Sequence, residues 1–240
     1  IAQADFGDTV MTSMGKPIQV MEATLQDRLK GVKRQTQIIY PKDIAYICMR
    51  LGAGPGRVIC EAGCGSGALT TGLSWFCGPT GRVVSHEARE EFAKLARRNL
   101  EWAGLGDNVE IHVQDARNGF CVKNADALFL DMRTPWECLE QALAAVRPGA
   151  VFGFLLPTVV QVAELLKSLE KGPFGDIEVQ ELLLRNWKPL ADRLRPADRM
   201  IAHTGFLVFC RHQKHNAQLA ALTPQRTRDR PHDPALPHPP

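Results

Sequence analysis

Apolar and polar positions alternate along this chain with two periods. Asp43–Leu51 is apolar at helical spacing, Gly52–Gly56 breaks the pattern, and Val58 and Ile59 open a short buried strand. From there the spacing predicts strands at Val58–Ala62, Gly81–His86, Val109–Val113, Ala127–Asp131, Ala150–Leu156, Ile177–Trp187 and Thr204–Arg211. Helical spacing predicts Ala68–Cys77, Glu90–Ala103, Pro135–Ala145 and Val160–Leu169. Strands separated by helices imply β-α-β crossovers, hence an α/β fold with a mostly parallel seven-stranded sheet covered on both faces. The last two strands lack a clear intervening helix, which predicts an antiparallel hairpin at one edge.

Two segments fall outside this pattern. Residues 1–33 carry short alternating stretches at Thr9–Thr12 and Pro17–Met21, then polar helical turns at Ala23–Lys30, and read as a small β-rich appendage. Residues 214–240 form a Pro/Arg-rich tail with six Pro after Leu222 and almost nothing to bury, so disorder is expected, with a nucleic-acid-contacting arm as the alternative. Residues 34–213 are left as the main domain. The opening Ile-Ala-Gln-Ala-Asp has neither initiator Met nor signal-peptide pattern, and we expect a piece of a longer chain with the appendage truncated.

Composition narrows the class. The 45% hydrophobic content of 240 residues suffices for a core. The longest apolar run, Ala150–Leu156, is interrupted by Gly153 and closed by Pro157, far short of the ~18–20 residues a membrane helix needs. Seven Cys, none spaced Cys-x-x-Cys, suggest neither a disulfide framework nor a metal site, and fit a reducing, cytoplasmic compartment. Net charge is only +3, yet Arg185–Lys214 holds seven Lys or Arg against Asp192 and Asp198. That segment is either a solvated basic face or a surface for a polyanion.

The sharpest local signal is Val58-Ile59-Cys60-Glu61-Ala62-Gly63-Cys64-Gly65-Ser66-Gly67, a strand running into a glycine-rich turn that opens a helix at Ala68 and Leu69. Glycines there let a ligand approach the backbone, with helix N-terminal amides available as donors. Nicotinamide and flavin dinucleotides use such turns, as does S-adenosylmethionine, so the turn alone does not choose. Acids stand at the ends of the next strands: Glu87, Asp115 and Asp131. In a doubly wound sheet ligands bind beyond those ends. Glu87 could accept ribose hydroxyls, and Asp115, beside Ala116, could accept from an adenine amino group. Each acid could equally be an ordinary helix cap, although Thr134 is better placed than Asp131 to cap the helix starting at Pro135. A dinucleotide wants a longer second half of the sheet than a core ending near Arg211 provides, which favours the methyl donor.

Three further motifs carry a resemblance: Arg34-Gln35-Thr36-Gln37-Ile38-Ile39-Tyr40-Pro41-Lys42-Asp43, then Leu130-Asp131 with Pro135-Trp136, and His203-Thr204-Gly205-Phe206-Leu207. From Lys33 to Arg211 the chain resembles the tRNA (adenine(58)-N(1))-methyltransferases, whose fold is the Rossmann-like class I methyltransferase fold. The resemblance implies that Gln37, Ile38, Ile39, Tyr40 and Pro41 close over S-adenosylmethionine and that Ala62, Gly63, Cys64, Gly65, Ser66, Gly67, Ala68 and Leu69 form its loop. It also implies that Glu87 holds the ribose, that Asp115 and Ala116 border the adenine, and that Asp131 is the catalytic acid. Cys64 stands where Thr or Ser is commoner, Arg133-Thr134 replaces a more apolar or acidic pair, and the appendage is shorter than the family's β domain. A homotetramer, tRNA as partner and no metal are further implications. Tyr40 and Trp136 could be core aromatics, and His203 reads as a satisfied strand-end histidine.

Methyl transfer from a sulfonium needs placement of the nucleophile more than a strong base. Adenine N1 is unprotonated at neutral pH, and its attack leaves positive charge on the purine that Asp131 could stabilise. N1 lies on the pairing edge, so the RNA must present a splayed-out adenine. Two other readings share the scaffold: methylation of a protein carboxylate or small molecule, and a non-catalytic tRNA-binding subunit. Retention of Gly63, Gly65, Gly67, Glu87 and Asp131 argues against the second.

Overall fold

The computed structural model describes residues 4–35 and 38–214. A small antiparallel hairpin comes first, β1 (Thr9–Met11) and β2 (Pro17–Gln19), with Thr9 opposite Gln19. Helix α1 (Leu25–Gly31) follows, started by a capping box in which the Thr24 hydroxyl accepts from the Asp27 amide and Asp27 accepts from the Thr24 amide. Helix α2 (Pro41–Leu51) begins on a proline and stops at Gly52 in the left-handed conformation, φ 65°.

The central sheet then builds as β3 (Val58–Ala62), α3 (Ala68–Cys77), β4 (Arg82–Glu87), α4 (Glu90–Trp102), β5 (Val109–Val113), β6 (Ala125–Leu130), α5 (Leu139–Ala145), β7 (Val146–Leu156), α6 (Val159–Leu169) and β8 (Phe174–Gln180). A two-stranded excursion, β9 (Trp187–Lys188) with β10 (Arg195–Pro196), precedes β11 (Phe206–His212). The seven strands lie in the order β5-β4-β3-β6-β7-β11-β8, and β11 alone runs against the rest, inserted between β7 and β8.

Period-two alternation splits the core between the two faces. Cys60, Leu128, Leu130, Phe152, Phe154 and Val208 pack toward α5 and α6, while Ile59, Val83, Ala127, Phe129, Leu207 and Phe209 pack toward α1, α2 and α3. Both faces of β6 are therefore apolar, as a doubly covered parallel strand requires.

The α/β class, the seven strands and the antiparallel edge agree with the sequence reading. Several boundaries differ, among them the strand expected at Ala150, which already begins at Val146. The strand expected at Ile177–Trp187 begins at Phe174 and ends at Gln180, because residues 181–205 leave the sheet. The helix expected from Pro135 opens as a 3-10 turn, Pro135–Cys138, and becomes α-helical only at Leu139. The strand expected at Ala127 starts two residues earlier, where Asp126 accepts the Val58 amide and pairs with Arg57 and Arg147. Residues 215–240 and Gln37, on which the tail and one donor-contact expectation fall, lie outside the described residues. No described helix is long and apolar enough to cross a membrane.

The excursion is tied to α2 by a buried network. Lys42 Nζ donates to Asp43 Oδ1 at 2.7 Å, to the Leu182 carbonyl at 2.8 Å and to Thr204 Oγ1 at 2.7 Å, and Thr204 Oγ1 donates to Asp43 Oδ2 at 2.8 Å. Two motifs far apart in sequence thereby meet.

Candidate active site

Three parallel strands end together and their backbones lock the turn beyond them. The Gly63 amide donates to the His86 carbonyl, joining β3 to β4, and the Asp131 amide donates to the Ala62 carbonyl, joining β6 to β3, both at 2.9 Å. Gly63 sits at φ 84°, and a Cβ there would fall inside the shell of the Asp131 carbonyl oxygen. Any side chain at 63 would push β3 and β6 apart.

Beyond these ends lies a cavity of 410 Å³. Of the residues singled out from sequence, Ile38, Ile39, Ala62, Gly63, Cys64, Gly65, Ser66, Leu69, Glu87, Asp115, Ala116 and Asp131 line it. Tyr40 and Pro41 instead start α2, and Gly67 and Ala68 start α3. Among the described residues no group of three His, Cys, Asp or Glu side chains is placed to hold a metal.

The acids differ in what they have left to offer. Glu87 is pinned as an acceptor: the Gly65 amide donates to Oε2 at 2.9 Å and the Arg89 amide to Oε1 at 3.1 Å. Glu87 thus braces the turn from the second strand. Asp115 caps the short 3-10 turn after β5, accepting from the Arg117 amide at 2.9 Å, and pairs with the Arg117 guanidinium at 2.6 Å. Arg117 holds its carboxyl below the usual range, and its lone pairs are largely taken. An adenine amino group would have to displace part of that pair.

Asp131 accepts no side-chain or backbone hydrogen bond among the described residues. Burial, with the charges of Glu61 and Glu87 nearby, pushes its carboxyl up to about 7. Thr134 occupies the cap position of the Pro135 turn without a side-chain bond, so neither residue caps it through its side chain. Trp136 packs partly buried against the core, and His203 is satisfied between Glu181, at 2.7 Å, and the Pro157 carbonyl, at 3.1 Å.

Two buried titratable groups in the lining, Glu61 and His86, have no role assigned from the sequence. Glu61 is 1% exposed on β3. The Thr70 and Ser85 hydroxyls donate to its Oε2 at 2.7 and 2.8 Å, and burial still pushes it up to about 7. Its signal was an acid inside an otherwise apolar strand, a position that is costly unless partnered or used. His86 Nε2 accepts from the Cys121 amide, which leaves Nδ1 as the donor to the Glu61 carbonyl at 3.1 Å. Burial lowers its pKa, so it stands as a neutral imidazole. Nothing local in the sequence marks it. Exposed Arg89, Arg117 and Arg133 also line the cavity.

The site therefore has an acidic floor of buried Glu61 and Glu87 and half-buried Asp131, guanidinium groups exposed at its edge, and the buried Ser66 hydroxyl, which has no hydrogen-bond partner among the described residues. A largely buried acid set of this kind suits a ligand with positive charge and hydrogen-bonding groups.

Known proteins resemble this chain over most of its length. A tRNA (adenine(57)-N(1)/adenine(58)-N(1))-methyltransferase from Methanocaldococcus jannaschii is 33% identical over 85% of this chain and 82% of its own. Among solved structures, the tRNA (m1A58) methyltransferase TrmI of Aquifex aeolicus is 37% identical, with a TM-score of 0.79 over 87% of this chain and 90% of that one. An S-adenosylmethionine-dependent O-methyltransferase from Thermotoga maritima is 43% identical, with a TM-score of 0.83 over 88% of this chain and 79% of that one. The fold is thus the Rossmann-like methyltransferase fold. The family described as the tRNA methyltransferase complex GCD14 subunit matches residues 19–194, a span that holds the glycine turn and all four acids, and the chain belongs to that family.

Proposed function

We propose that this protein transfers a methyl group from S-adenosylmethionine to N1 of adenine 58 in the T-loop of tRNA. The observation that carries the reading is the largely buried acidic floor around the glycine turn, in a chain whose family and relatives are named for tRNA methylation. The residues fit the donor: three carboxylates suit a cation, and the buried Ser66 hydroxyl, without a hydrogen-bond partner among the described residues, is left to bind it. Gln37, Ile38, Ile39, Tyr40 and Pro41 would cover the donor. The 62–69 turn would cradle it, Glu87 would hold its ribose, and Asp115 and Ala116 would border its adenine.

Bound S-adenosylmethionine would supply a methyl group already activated on a sulfonium. Asp131 would then orient the target adenine by accepting from its exocyclic amine and stabilise the positive charge that methylation leaves on the purine.

Around this site we propose a homotetramer in the cytoplasm, built on a 34–213 catalytic domain with a small N-terminal appendage and a C-terminal tail. Leu183, Leu184, Trp187, Leu190, Leu194 and Ile201 are all exposed on the excursion between β8 and β11, an apolar surface suited to a second copy. Arg185, Arg193 and Arg199, which make no ion pair among the described residues, would meet RNA phosphate. Seven free cysteines, six of them buried, fit a reducing compartment.

The direct test incubates the protein with labelled S-adenosylmethionine and unmodified tRNA transcript, then locates the methylated nucleoside by mass spectrometry. N1-methyladenosine at position 58 is expected, and light scattering should report four chain masses. A 2′-O-methyl product would move the protein toward the O-methyltransferase neighbour, and donor binding without RNA methylation would overturn the RNA reading.

Donor affinity should depend on pH. With Glu61 and Asp131 each pushed up to about 7 in the donor-free protein, the acids hold protons that a cationic ligand must expel. The dissociation constant should therefore fall from pH 6 to pH 7, by up to about tenfold for each proton released, and level off by about pH 8. Calorimetry in buffers of different ionisation enthalpy should record proton release. Affinity flat across pH 6–8 with no proton release would remove the acid cluster from donor binding.

A further inference from the structure

Apart from the donor cavity, a second concavity of 350 Å³ opens between α4 and the chain that follows α1. Leu95, Arg98 and Trp102 lie on one face of α4 by their three- and four-residue spacing, and Lys33 and Arg34 line the opposite wall. No carboxylate lines this groove, and Lys33, Arg34 and Arg98 form no ion pair among the described residues.

Trp102 is 58% exposed, an unusual state for the largest apolar side chain. The tip of its ring abuts Gly31, where any Cβ would collide with it. An edge-braced indole with that exposure keeps ring face available for stacking. The groove floor also connects to the donor turn. Asn99, itself buried, donates to the Lys33 and Ser66 carbonyls at 2.8 Å and accepts from the Lys33 amide at 3.1 Å.

A braced, exposed aromatic ring flanked by unpaired cations is the chemistry that binds single-stranded RNA: stacking takes the base, and the cations take its phosphate. We propose that this groove is an RNA subsite distinct from the pocket for the target adenine. In it, an unpaired nucleotide of the substrate stacks on Trp102 with its phosphate among Lys33, Arg34 and Arg98. The inference rests on the RNA reading above and adds where a second nucleotide of that RNA is held. Asn99 makes the groove and the donor turn one rigid unit, so the RNA would be positioned relative to the methyl donor through a fixed support.

The test compares wild type, Trp102→Ala and Arg98→Ala for binding of labelled unmodified tRNA transcript across salt concentrations, with donor affinity measured in parallel. Trp102→Ala should weaken RNA binding by about tenfold with an unchanged salt slope, since stacking releases no counterions. Arg98→Ala should lower the slope of log Kd against log salt by about one. Both should keep wild-type donor affinity. RNA affinity and slope like wild type in both variants would overturn the subsite, leaving the groove to a protein partner, while methylation by wild type kept the RNA reading intact. Failure of wild type itself to bind tRNA would overturn both together. Should Trp102→Ala fold poorly, the Arg98→Ala slope decides.

Discussion

Replacing Asp131 by Ala is expected to cost about 100- to 1,000-fold in methyl transfer at saturating donor and RNA, the scale of losing one preorganised charge at a reacting group. The same variant should fold and still bind donor through Glu61 and Glu87, with lower affinity than wild type. Its side chain supports no hydrogen bond among the described residues, and the backbone link from the Asp131 amide to the Ala62 carbonyl survives the change. Stability supplies a second sign. A half-buried carboxyl raised to about 7 favours folding while protonated, below its unfolded value near 4, and that contribution is lost as pH rises through 7. Asp131→Ala should therefore be at least as stable as wild type at pH 8, which separates a chemical defect from misfolding. Asp131→Asn keeps an acceptor and removes the charge. Activity close to wild type would assign the role to hydrogen bonding, and activity close to Asp131→Ala would assign it to charge. Near-normal turnover by the Ala variant would end the proposed role.

The periodic elements were legible because the physics that forms them is local. Val58–Ala62, Val109–Val113 and Ala68–Cys77 appear with the bounds their spacing predicts: glycine closes the first and third, and strict alternation of Val109, Ile111 and Val113 with Glu110 and His112 defines the second. The excursion after Gln180 was not legible as such. Glu181–Trp187 continues the apolar character of a strand, yet Leu183, Leu184 and Trp187 are exposed, and no period tells a strand from an apolar segment that leaves the sheet.

The site was legible where residues must be of one type and illegible where several contacts decide. Gly63 announces itself because only a glycine fits against the Asp131 carbonyl. Asp115 was read as free to receive a ligand, but Arg117, two residues on, occupies it, and local sequence does not rank a pairing arginine above a ligand. Glu61 carries a signal of a weaker kind, an acid buried between apolar neighbours, which breaks the local rule in the way functional positions do. Trp102 is unmarked in the sequence, because a tryptophan at a helix end reads as core until its exposure is known.

The first and last motifs prove to be one object, and breaking it should have the largest effect on stability. Asp43 is the counter-charge for Lys42, and both are nearly buried, with side chains 3% and 11% exposed. Thr204 closes the ring, accepting from Lys42 and donating to Asp43, while Lys42 also reaches the Leu182 carbonyl at the base of the excursion. Asp43→Ala leaves a buried ammonium facing a hydroxyl and a carbonyl with no negative charge, and should cost about 3–5 kcal/mol in urea unfolding. Set against the ~5–15 kcal/mol that holds a typical domain, that loss should lower the midpoint steeply. The paired change Lys42→Met with Asp43→Leu removes both charges and fills the volume, and should recover most of the loss, because the penalty comes from the orphaned charge rather than from the missing bonds. A single variant within about 1 kcal/mol of wild type would show the pair to be open to water and not buried. If the double variant stays as unstable as the single one, the ring acts through hydrogen bonds to Thr204 and Leu182, and the two motifs are joined by geometry rather than by charge.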